Sequence, residues 1–297
     1  MVPRGSVRPT ASEPFKTSVH KSGIAAAALL SAAAICASSP AARAVDTIPF
    51  TDGSGSLVQI QASVNGAAPV PMLVDTGAGV DVLSSALGAR YVVVSGKYVS
   101  LRLSGDRVDL PVGTVNSLTS GNVVFDAPHV GIWNGLDTMG VQGLIAATAF
   151  RNITATFDFR NHNLIIEDAQ TFPERARAGT RVPLILQDDL GIALGLFARF
   201  DFGNGQSGLC EIDTGAAGIT IDKTLAHRLG VTLPAGDKVA AHLTSIALQG
   251  DPGSMIQQPA VTFANVIYDC TVGNSFWQNR IFTLDLPDHY MYVGNAS

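Results

Sequence analysis

The sequence is poor in charge, in cysteine and in the motifs of several common enzyme classes. Charged residues make up 14% of the chain, which holds three cysteines and six histidines. No histidine begins the H-E-x-x-H motif of a zinc hydrolase, no serine lies in G-x-S-x-G, and no G-x-x-x-x-G-K phosphate loop is present. These absences argue against zinc, serine-nucleophile and P-loop chemistry, and we expect neither a metal nor a cofactor.

The N-terminal 44 residues have the pattern of an export signal. Lys16 and Lys21 precede the apolar run "GIAAAALLSAAAICA", which is shorter than the roughly 20 residues of a membrane span. Residues 42–44, Ala-Arg-Ala, offer an A-x-A cleavage site. We therefore predict that residues 1–44 are an export signal and that the protein is periplasmic or secreted, with no membrane partner after cleavage. A retained signal anchor is the alternative.

Removal of residues 1–44 would make the chain strongly acidic. It takes away 5 of the 19 basic residues and 1 of the 24 acidic ones, which leaves a formal net charge of −9. Such a charge argues against a nucleic-acid partner, because phosphates require a basic surface. Two cysteines, Cys210 and Cys270, remain. They either form a disulfide in an oxidising compartment or lie as free thiols in their apolar runs, and the sequence leaves both alternatives open.

The triplet Asp-Thr-Gly occurs twice, each time after an apolar run. It lies at Asp75 in "MLVDTGAGVDVLS" and at Asp213 in "LCEIDTGAAGITID". One such triplet alone is typical of a β-turn. Other residues repeat as well: at the same offset of 138, Leu87 aligns with Leu225 and Arg90 with Arg228, and at an offset of 127, Asn152 aligns with Asn279, Asp158 with Asp285 and His162 with His289. The chain is therefore predicted to be an internal duplication.

Both halves are rich in predicted strands. Short runs of Val, Ile, Leu and Phe, some of them alternating with polar residues, are separated by Gly, Asn and Pro. Each half has one helix-like stretch after its Asp-Thr-Gly turn, "SSALGARY" and "DKTLAHRLG", and "AQTFPERARAGT" between the halves is typical of a linker. We predict an all-β fold with minor short helices and pseudo-two-fold symmetry. Its lobes are residues 45–168 and 181–297, with the linker at 169–180.

The repeated aspartates suggest a chemistry. Two carboxylates held close together cannot both ionise cheaply, so one takes up a proton while the other stays charged. Such a pair can act as general base and general acid on one water molecule. A pseudo-two-fold axis through the duplicated unit would bring Asp75 and Asp213 together in this way.

The motifs "LVDTGAG" and "EIDTGAA" resemble the active-site motif of the aspartic proteases. The alanine after each glycine resembles the retropepsin-like branch, whereas two units joined in one chain are similar to the bilobal pepsin-like enzymes. The hydrophobic-hydrophobic-Gly element late in each unit is similar to "QGLIAATAF" and "CTVGNSFW", although the first has Ala146 at the place of the glycine. From about residue 47 to the C-terminus, the resemblance implies a two-lobed acid-protease-like β-barrel fold.

The resemblance also implies roles for six residues. Asp75 and Asp213 would form the catalytic dyad and hold the attacking water. Thr76 and Thr214 would tie the two loops together through their hydroxyls, and Gly77 and Gly215 would let the backbone approach the carboxylates without a Cβ. A β-hairpin flap over the substrate is implied as well. Its candidate turn is Leu103–Arg107, and Leu118–Asn122 is the competing one.

Three further polar residues lie near these elements. Glu211 is two residues before Asp213, so period-two alternation puts both on one strand face. We favour a solvated strand end for Glu211 over a third carboxylate near the dyad. For His162 and His289, which lie near strand ends, we favour a turn or sheet-edge role over catalysis.

We predict an exported, monomeric aspartic endopeptidase that binds an extended peptide or protein segment between its lobes through main-chain hydrogen bonds. The alternatives are a non-catalytic peptide-binding protein on the same scaffold and an inhibitor-like or assembly protein that uses only the fold. Ala78 and Ala216 stand where many pepsin-like enzymes carry Ser or Thr. Without hydroxyl donors to the aspartates, we expect a weakly acidic to near-neutral pH optimum.

Overall fold

The computed structural model describes residues 46–53 and 56–295, which belong to one compact unit. The predicted export signal at residues 1–44 and its cleavage site lie outside the described residues. No helix in the described ranges is long and apolar enough to cross a membrane.

Thirteen strands lie in the described part of the first half of the chain. They are β1 Asp46–Pro49, β2 Thr51–Asp52, β3 Val58–Val64, β4 Val70–Asp75, β5 Asp81–Leu83, β6 Val93–Leu101, β7 Arg107–Thr114, β8 Leu118–Ser120, β9 Val123–Val124, β10 Val130–Ile132, β11 Gly143–Ala146, β12 Thr154–Asp158 and β13 Asn163–Ile166. Helix α1 spans Ser85–Tyr91, and 3-10 helices span Asn134–Thr138 and Ala147–Phe150.

The second half repeats this strand-rich pattern. Its strands are β14 Thr180–Pro183, β15 Ile185–Asp189, β16 Ala193–Asp201, β17 Ser207–Ile212, β18 Ile219–Asp222, β19 Lys238–His242, β20 Ser245–Leu248, β21 Asp251–Gln257, β22 Ala260–Ala264, β23 Cys270–Val272, β24 Arg280–Asp285 and β25 Tyr290–Asn295. Helix α2 spans Phe172–Ala178, α3 spans Asn274–Trp277, and a 3-10 helix spans Lys223–Leu225.

Alternating hydrophobicity explains the strands that have one face on the core. In β3, Val58, Ile60, Ala62 and Val64 are buried, whereas the residues between them are more exposed. Successive side chains of a strand point to opposite faces, so this alternation places one face on the core. The central strand β4 has a continuous buried run at residues 72–74 instead, because it is covered on both faces.

Two helical segments differ from the sequence predictions. The helix expected in "DKTLAHRLG" is a 3-10 helix followed by turns that end at Gly230, where φ is +71°. The Asp222 carboxylate accepts hydrogen bonds from the Thr224 and Val266 N–H groups, and these contacts hold a tight turn. The equivalent segment of the first lobe forms the α-helix α1 instead. The segment 169–180 contains helix α2, and β14 already begins at Thr180.

The strand pairing is the same in the two lobes. In the first, β4 pairs parallel to β11, β11 antiparallel to β5, and β5 parallel to β10. In the second, β17 pairs parallel to β23, β23 antiparallel to β18, and β18 parallel to β22. This equivalence shows the internal duplication. It also places Asp75 at the end of β4 and Asp213 directly after its counterpart β17.

A six-stranded sheet, in the order β1-β13-β12-β24-β25-β14, joins the lobes. At its centre Thr156 lies opposite Thr283, with the two hydroxyl oxygens 2.7 Å apart, and Phe157 stacks on Phe282. His162 and His289 occupy equivalent left-handed positions, with φ of 55° and 59°, in the turns that follow β12 and β24. The predicted turn role of these two histidines is confirmed.

Candidate active site

The two Asp-Thr-Gly turns meet through their threonines. The Thr76 N–H donates to the Thr214 hydroxyl oxygen at 3.1 Å, and the Thr214 N–H donates to the Thr76 hydroxyl oxygen at 3.0 Å. The Thr76 hydroxyl donates to the Ile212 carbonyl and the Thr214 hydroxyl to the Val74 carbonyl, both at 2.7 Å. Both threonines are buried, so these hydrogen bonds are shielded from water and hold the turns in one relative position.

Each glycine of the two turns lies against the carboxyl group of the opposite turn. A Cβ on Gly77 would lie 2.4 Å from the carboxyl carbon of Asp213, and a Cβ on Gly215 would lie 2.2 Å from that of Asp75. No side chain fits at such distances, so glycine is required here by close packing. The carboxyl groups of Asp75 and Asp213 consequently face each other within hydrogen-bonding reach.

Backbone N–H groups hold both carboxyl groups in place. Asp75 Oδ1 accepts from the N–H of Gly77 at 3.1 Å and of Ala78 at 2.9 Å, and Asp213 Oδ1 accepts from the N–H of Gly215 at 2.8 Å. Burial raises the pKa of Asp75. Burial and the charge of Asp75 together raise the pKa of Asp213 well above its usual range. The pair therefore keeps a proton at a pH at which an isolated aspartate would be ionised.

The prediction of a solvated strand end at Glu211 is wrong. Glu211 is 6% exposed and lines the same cleft as the dyad. Burial raises its pKa well above the usual range for glutamate, and the charges of Asp213 and Asp75 act in the same direction. Its strand β17 has a neighbour on each side, with Phe197 of β16 and Thr271 of β23 opposite Glu211, so little of the side chain reaches water.

Another buried carboxyl group, that of Asp81, lies in β5. Its Oδ1 accepts from the Ala146 N–H at 2.8 Å, and burial raises its pKa to about 8. In the second lobe the equivalent Gly273 N–H donates to the Gly218 carbonyl instead. A Cβ on Gly273 would lie 2.2 Å from the Ala216 carbonyl oxygen. In the first lobe, the hydrogen bond from the Ala146 N–H to the Asp81 carboxyl group thus takes the place of this backbone hydrogen bond, and the Cβ of Ala146 is accommodated. In the sequence, the only feature that could have pointed to Asp81 is its place as a single Asp within an apolar run.

Cys210 and Cys270 form a disulfide, which decides between the two alternatives left open by the sequence. They lie opposite each other in the parallel strands β17 and β23, with their Cα atoms 4.5 Å apart, and both are fully buried. The bond ties the strand that leads to Asp213 to the strand that leads to α3. At the start of α3, the Asn274 amide donates to the Thr214 carbonyl at 2.9 Å.

A cleft of about 1190 Å³ contains both aspartates and is lined by both lobes. The hairpin of β6 and β7 forms one wall, and Leu103 and Ser104 at its tip line the cleft. The Ile267 N–H of the second lobe donates to the Leu103 carbonyl at 3.1 Å, and the Tyr98 hydroxyl donates to Asp189 at 2.7 Å. This geometry favours Leu103–Arg107 as the flap turn. None of residues 118–122, all of which are described, lines the cleft.

The described residues offer no evident metal site. No group of three or more His, Cys, Asp or Glu side chains within 46–53 and 56–295 could hold a metal ion.

Comparisons with known proteins agree with this architecture. Residues 60–148 match a family model described as aspartyl protease. Among solved structures, the fold is similar to an aspartic proteinase from Irpex lacteus, with a TM-score of 0.54, 12% identity and coverage of 86% of this chain and 98% of that one. It is also similar to basic 7S globulin from soybean, with a TM-score of 0.51, 11% identity and coverage of 85% and 95%. A sequence comparison with curated proteins finds no match.

Proposed function

We propose that this chain, which its family match and fold assign to the aspartic protease family, is an endopeptidase in which Asp75 and Asp213 activate a water molecule. The observation that carries the proposal is the reciprocal pairing of Thr76 and Thr214, which sets each carboxyl group against the glycine of the opposite turn. Such an arrangement supplies two adjacent carboxyl groups that share one proton.

We propose one division of roles within the pair, in which Asp75 is ionised and Asp213 protonated. Backbone N–H groups of the glycine and alanine after each aspartate stabilise both carboxyl groups, and the charge of Asp75 raises the pKa of Asp213. Asp75 then takes a proton from the water as the water oxygen attacks the peptide carbonyl carbon, and Asp213 gives its proton to the carbonyl oxygen. As the tetrahedral intermediate collapses, Asp75 returns a proton to the leaving nitrogen and Asp213 regains its own.

The cleft and the β6–β7 hairpin support an extended peptide as the substrate. An extended segment exposes main-chain donors and acceptors that can pair with the hairpin and the cleft strands. Ile267 and Leu103, whose N–H and carbonyl now pair with each other, lie where such a segment would pass. Because both aspartates belong to one chain, we propose that the enzyme works as a monomer, after export to the periplasm or the medium.

A second candidate is a peptide-binding protein without turnover. The contacts of the hairpin with the second lobe, through Tyr98 and Leu103, favour it, because a hairpin held closed over the cleft would slow the exchange of substrate and product. Binding of peptides without cleavage is the outcome that distinguishes this candidate from the enzyme.

The test is to incubate the purified protein with a peptide library, with and without pepstatin, and to identify products by mass spectrometry. We expect internal cleavage that pepstatin blocks and that the Asp213→Asn variant loses. The exposed Asp237→Asn variant is the control for the loss of one negative charge. Cleavage by Asp213→Asn near the wild-type rate would contradict the proposal, provided that circular dichroism shows both variants folded.

A further inference from the structure

We propose that Glu211 makes the cleft selective for a peptide with a basic side chain, Lys or Arg, next to the scissile bond. The inference deepens the proposed function, and its cleavage test rests on that function. The proposed chemistry uses two carboxyl groups, and the cleft holds a third one beside them.

The position of Glu211 points its carboxyl group toward the substrate. Glu211 and Asp213 are separated by one residue at the end of β17, so their side chains share a strand face. All three carboxyl groups line one cleft, and the charges of Asp213 and Asp75 raise the pKa of Glu211. A side chain of the peptide residue next to the scissile bond is therefore within reach of Glu211.

The surroundings of Glu211 provide no positive charge. Among the residues that the structure describes, no Lys, Arg or His forms an ion pair with it. Its neighbours are the aromatic ring of Tyr268, which packs edge-on against Phe197, and the hydroxyl of Thr271. An aromatic ring beside a carboxylate suits the long apolar stem and cationic head of Lys or Arg.

The wider cleft has the same bias. Its lining contains six acidic residues, Asp75, Asp106, Asp188, Asp189, Glu211 and Asp213, and two basic ones, Arg102 and Lys238. Asp188 already pairs with Arg151, and Asp213 and Glu211 have raised pKa values, so the excess of negative charge is modest. Its potential still attracts cations. Substrates with positive charge are therefore favoured in the approach to the cleft as well as at Glu211.

A buried carboxyl group without a cation discriminates between substrates. Glu211 is already desolvated in the free cleft, and its raised pKa keeps it protonated, so a neutral apolar side chain beside it gains no ion pair. An ammonium or guanidinium group would lower that pKa, so that Glu211 releases its proton to solvent and pairs with the cation, which also offsets the repulsion from the dyad. Glu211 thus favours basic residues over apolar ones at the same position.

The experiment uses pairs of peptides that differ at one position, with Lys in one and norleucine, which lacks the charge, in the other. The position is varied over both sides of a scissile bond identified in the library. kcat/KM is measured for wild type, for Glu211→Gln and for Glu174→Gln, in which an exposed acid on α2 is neutralised as the control. At one position we expect wild type to prefer Lys at least tenfold. Glu211→Gln should lower that ratio about tenfold to a hundredfold, and Glu174→Gln should leave it unchanged.

Two results would overturn the inference while leaving the protease intact: wild type cleaves both peptides equally at every position, or Glu211→Gln slows both peptides by the same factor. If wild type cleaves no peptide, the proposed function fails and binding decides the inference. For that arm, the dissociation constants of the same peptides are measured on Asp75→Asn, with and without Glu211→Gln. Tighter binding of the Lys peptide that requires Glu211 supports the inference, and equal or no binding of the two peptides contradicts it.

Discussion

Asp81 carries a buried carboxyl group that affects the stability of the fold. Its pKa is raised from 3.8 to about 8, chiefly by burial. Between these two values the unfolded chain releases the proton while the folded chain keeps it, so the free energy of unfolding falls as the pH rises through this window. Asp81→Asn keeps an oxygen that can accept from the Ala146 N–H but has no proton to lose.

We therefore predict that Asp81→Asn is more stable than wild type at pH 9, by roughly 2 to 5 kcal/mol. Near pH 4 the difference between the two proteins should be small. Urea denaturation at pH 4.5, 7 and 9 measures this, with the exposed Asp237→Asn as the control. Curves of stability against pH that run parallel for Asp81→Asn and wild type would refute the role given to Asp81.

Ala78 and Ala216 affect the acidity of the dyad. The Ala78 N–H already donates to Asp75 Oδ1, and a hydroxyl at this residue would add a second donor to the charged form, which lowers a carboxyl pKa. We predict a weakly acidic to near-neutral optimum for wild type, and an acid limb of kcat/KM at lower pH for the Ala78→Ser, Ala216→Thr double variant. Ala217→Ser, in the same turn but exposed, is the control. An acid limb that stays in place or moves upward in the double variant would disprove the hydrogen-bond argument.

Individual residues show which features of the site the sequence predicts and which it does not. The twofold occurrence of Asp-Thr-Gly pointed to Asp75 and Asp213, because a repeated motif can be recognised in the sequence without knowledge of the tertiary contacts. The burial of Glu211 could not be predicted in this way, since β17 also pairs with β23, a strand about 60 residues further along the chain. Asp81 was missed because its partners, the Ala146 N–H and Thr148, are 65 and 67 residues away.

The disulfide acts at the scale of the strands. It joins β17 to β23 across a sequence separation of 60 residues, and a crosslink of that span restricts the unfolded chain. We predict that the Cys210→Ala, Cys270→Ala double variant loses about 2 to 4 kcal/mol of the free energy of unfolding. Urea denaturation of both proteins measures this. The unreduced wild type should also show two hydrogens fewer by mass than the reduced form. Equal stability of wild type and variant would contradict the prediction.

Secondary-structure elements could be predicted where the local sequence determines them. Helix α1 begins after Ser84, whose hydroxyl caps the Leu87 N–H, and this signal is visible in "SSALGARY". Its counterpart in the second lobe became a 3-10 helix because Asp222 also accepts from Val266, a contact with a distant loop. The pairing of Cys210 with Cys270 likewise required the register of two parallel strands, which the sequence does not state.

At the scale of the whole molecule, one chain supplies both halves of the site. The inter-lobe sheet, with β12 next to β24, and the threonine contacts join the lobes in a single compact unit. We predict that activity per molecule stays constant over a hundredfold dilution of the enzyme, because no second chain has to contribute an aspartate. Loss of activity on dilution, with second-order recovery on concentration, would contradict a single-chain site.

The overall fold was accessible from the repeat, because two strand-rich halves that each place an aspartate in an equivalent turn imply a pseudo-two-fold axis. The sequence alone could not show how the halves meet. That contact depends on Thr156 opposite Thr283 and on Phe157 stacked on Phe282, in strands that no local pattern pairs with each other.

The most direct measurement is a double-mutant cycle on the dyad. kcat/KM for one library peptide is determined for wild type, Asp75→Asn, Asp213→Asn and the variant with both changes, after circular dichroism has shown that all four are folded. If Asp75 and Asp213 act as one unit on one water, each single variant loses at least about a thousandfold and the second change costs little more. Near wild-type turnover in either single variant, or losses that multiply in the double variant, would contradict a shared catalytic pair.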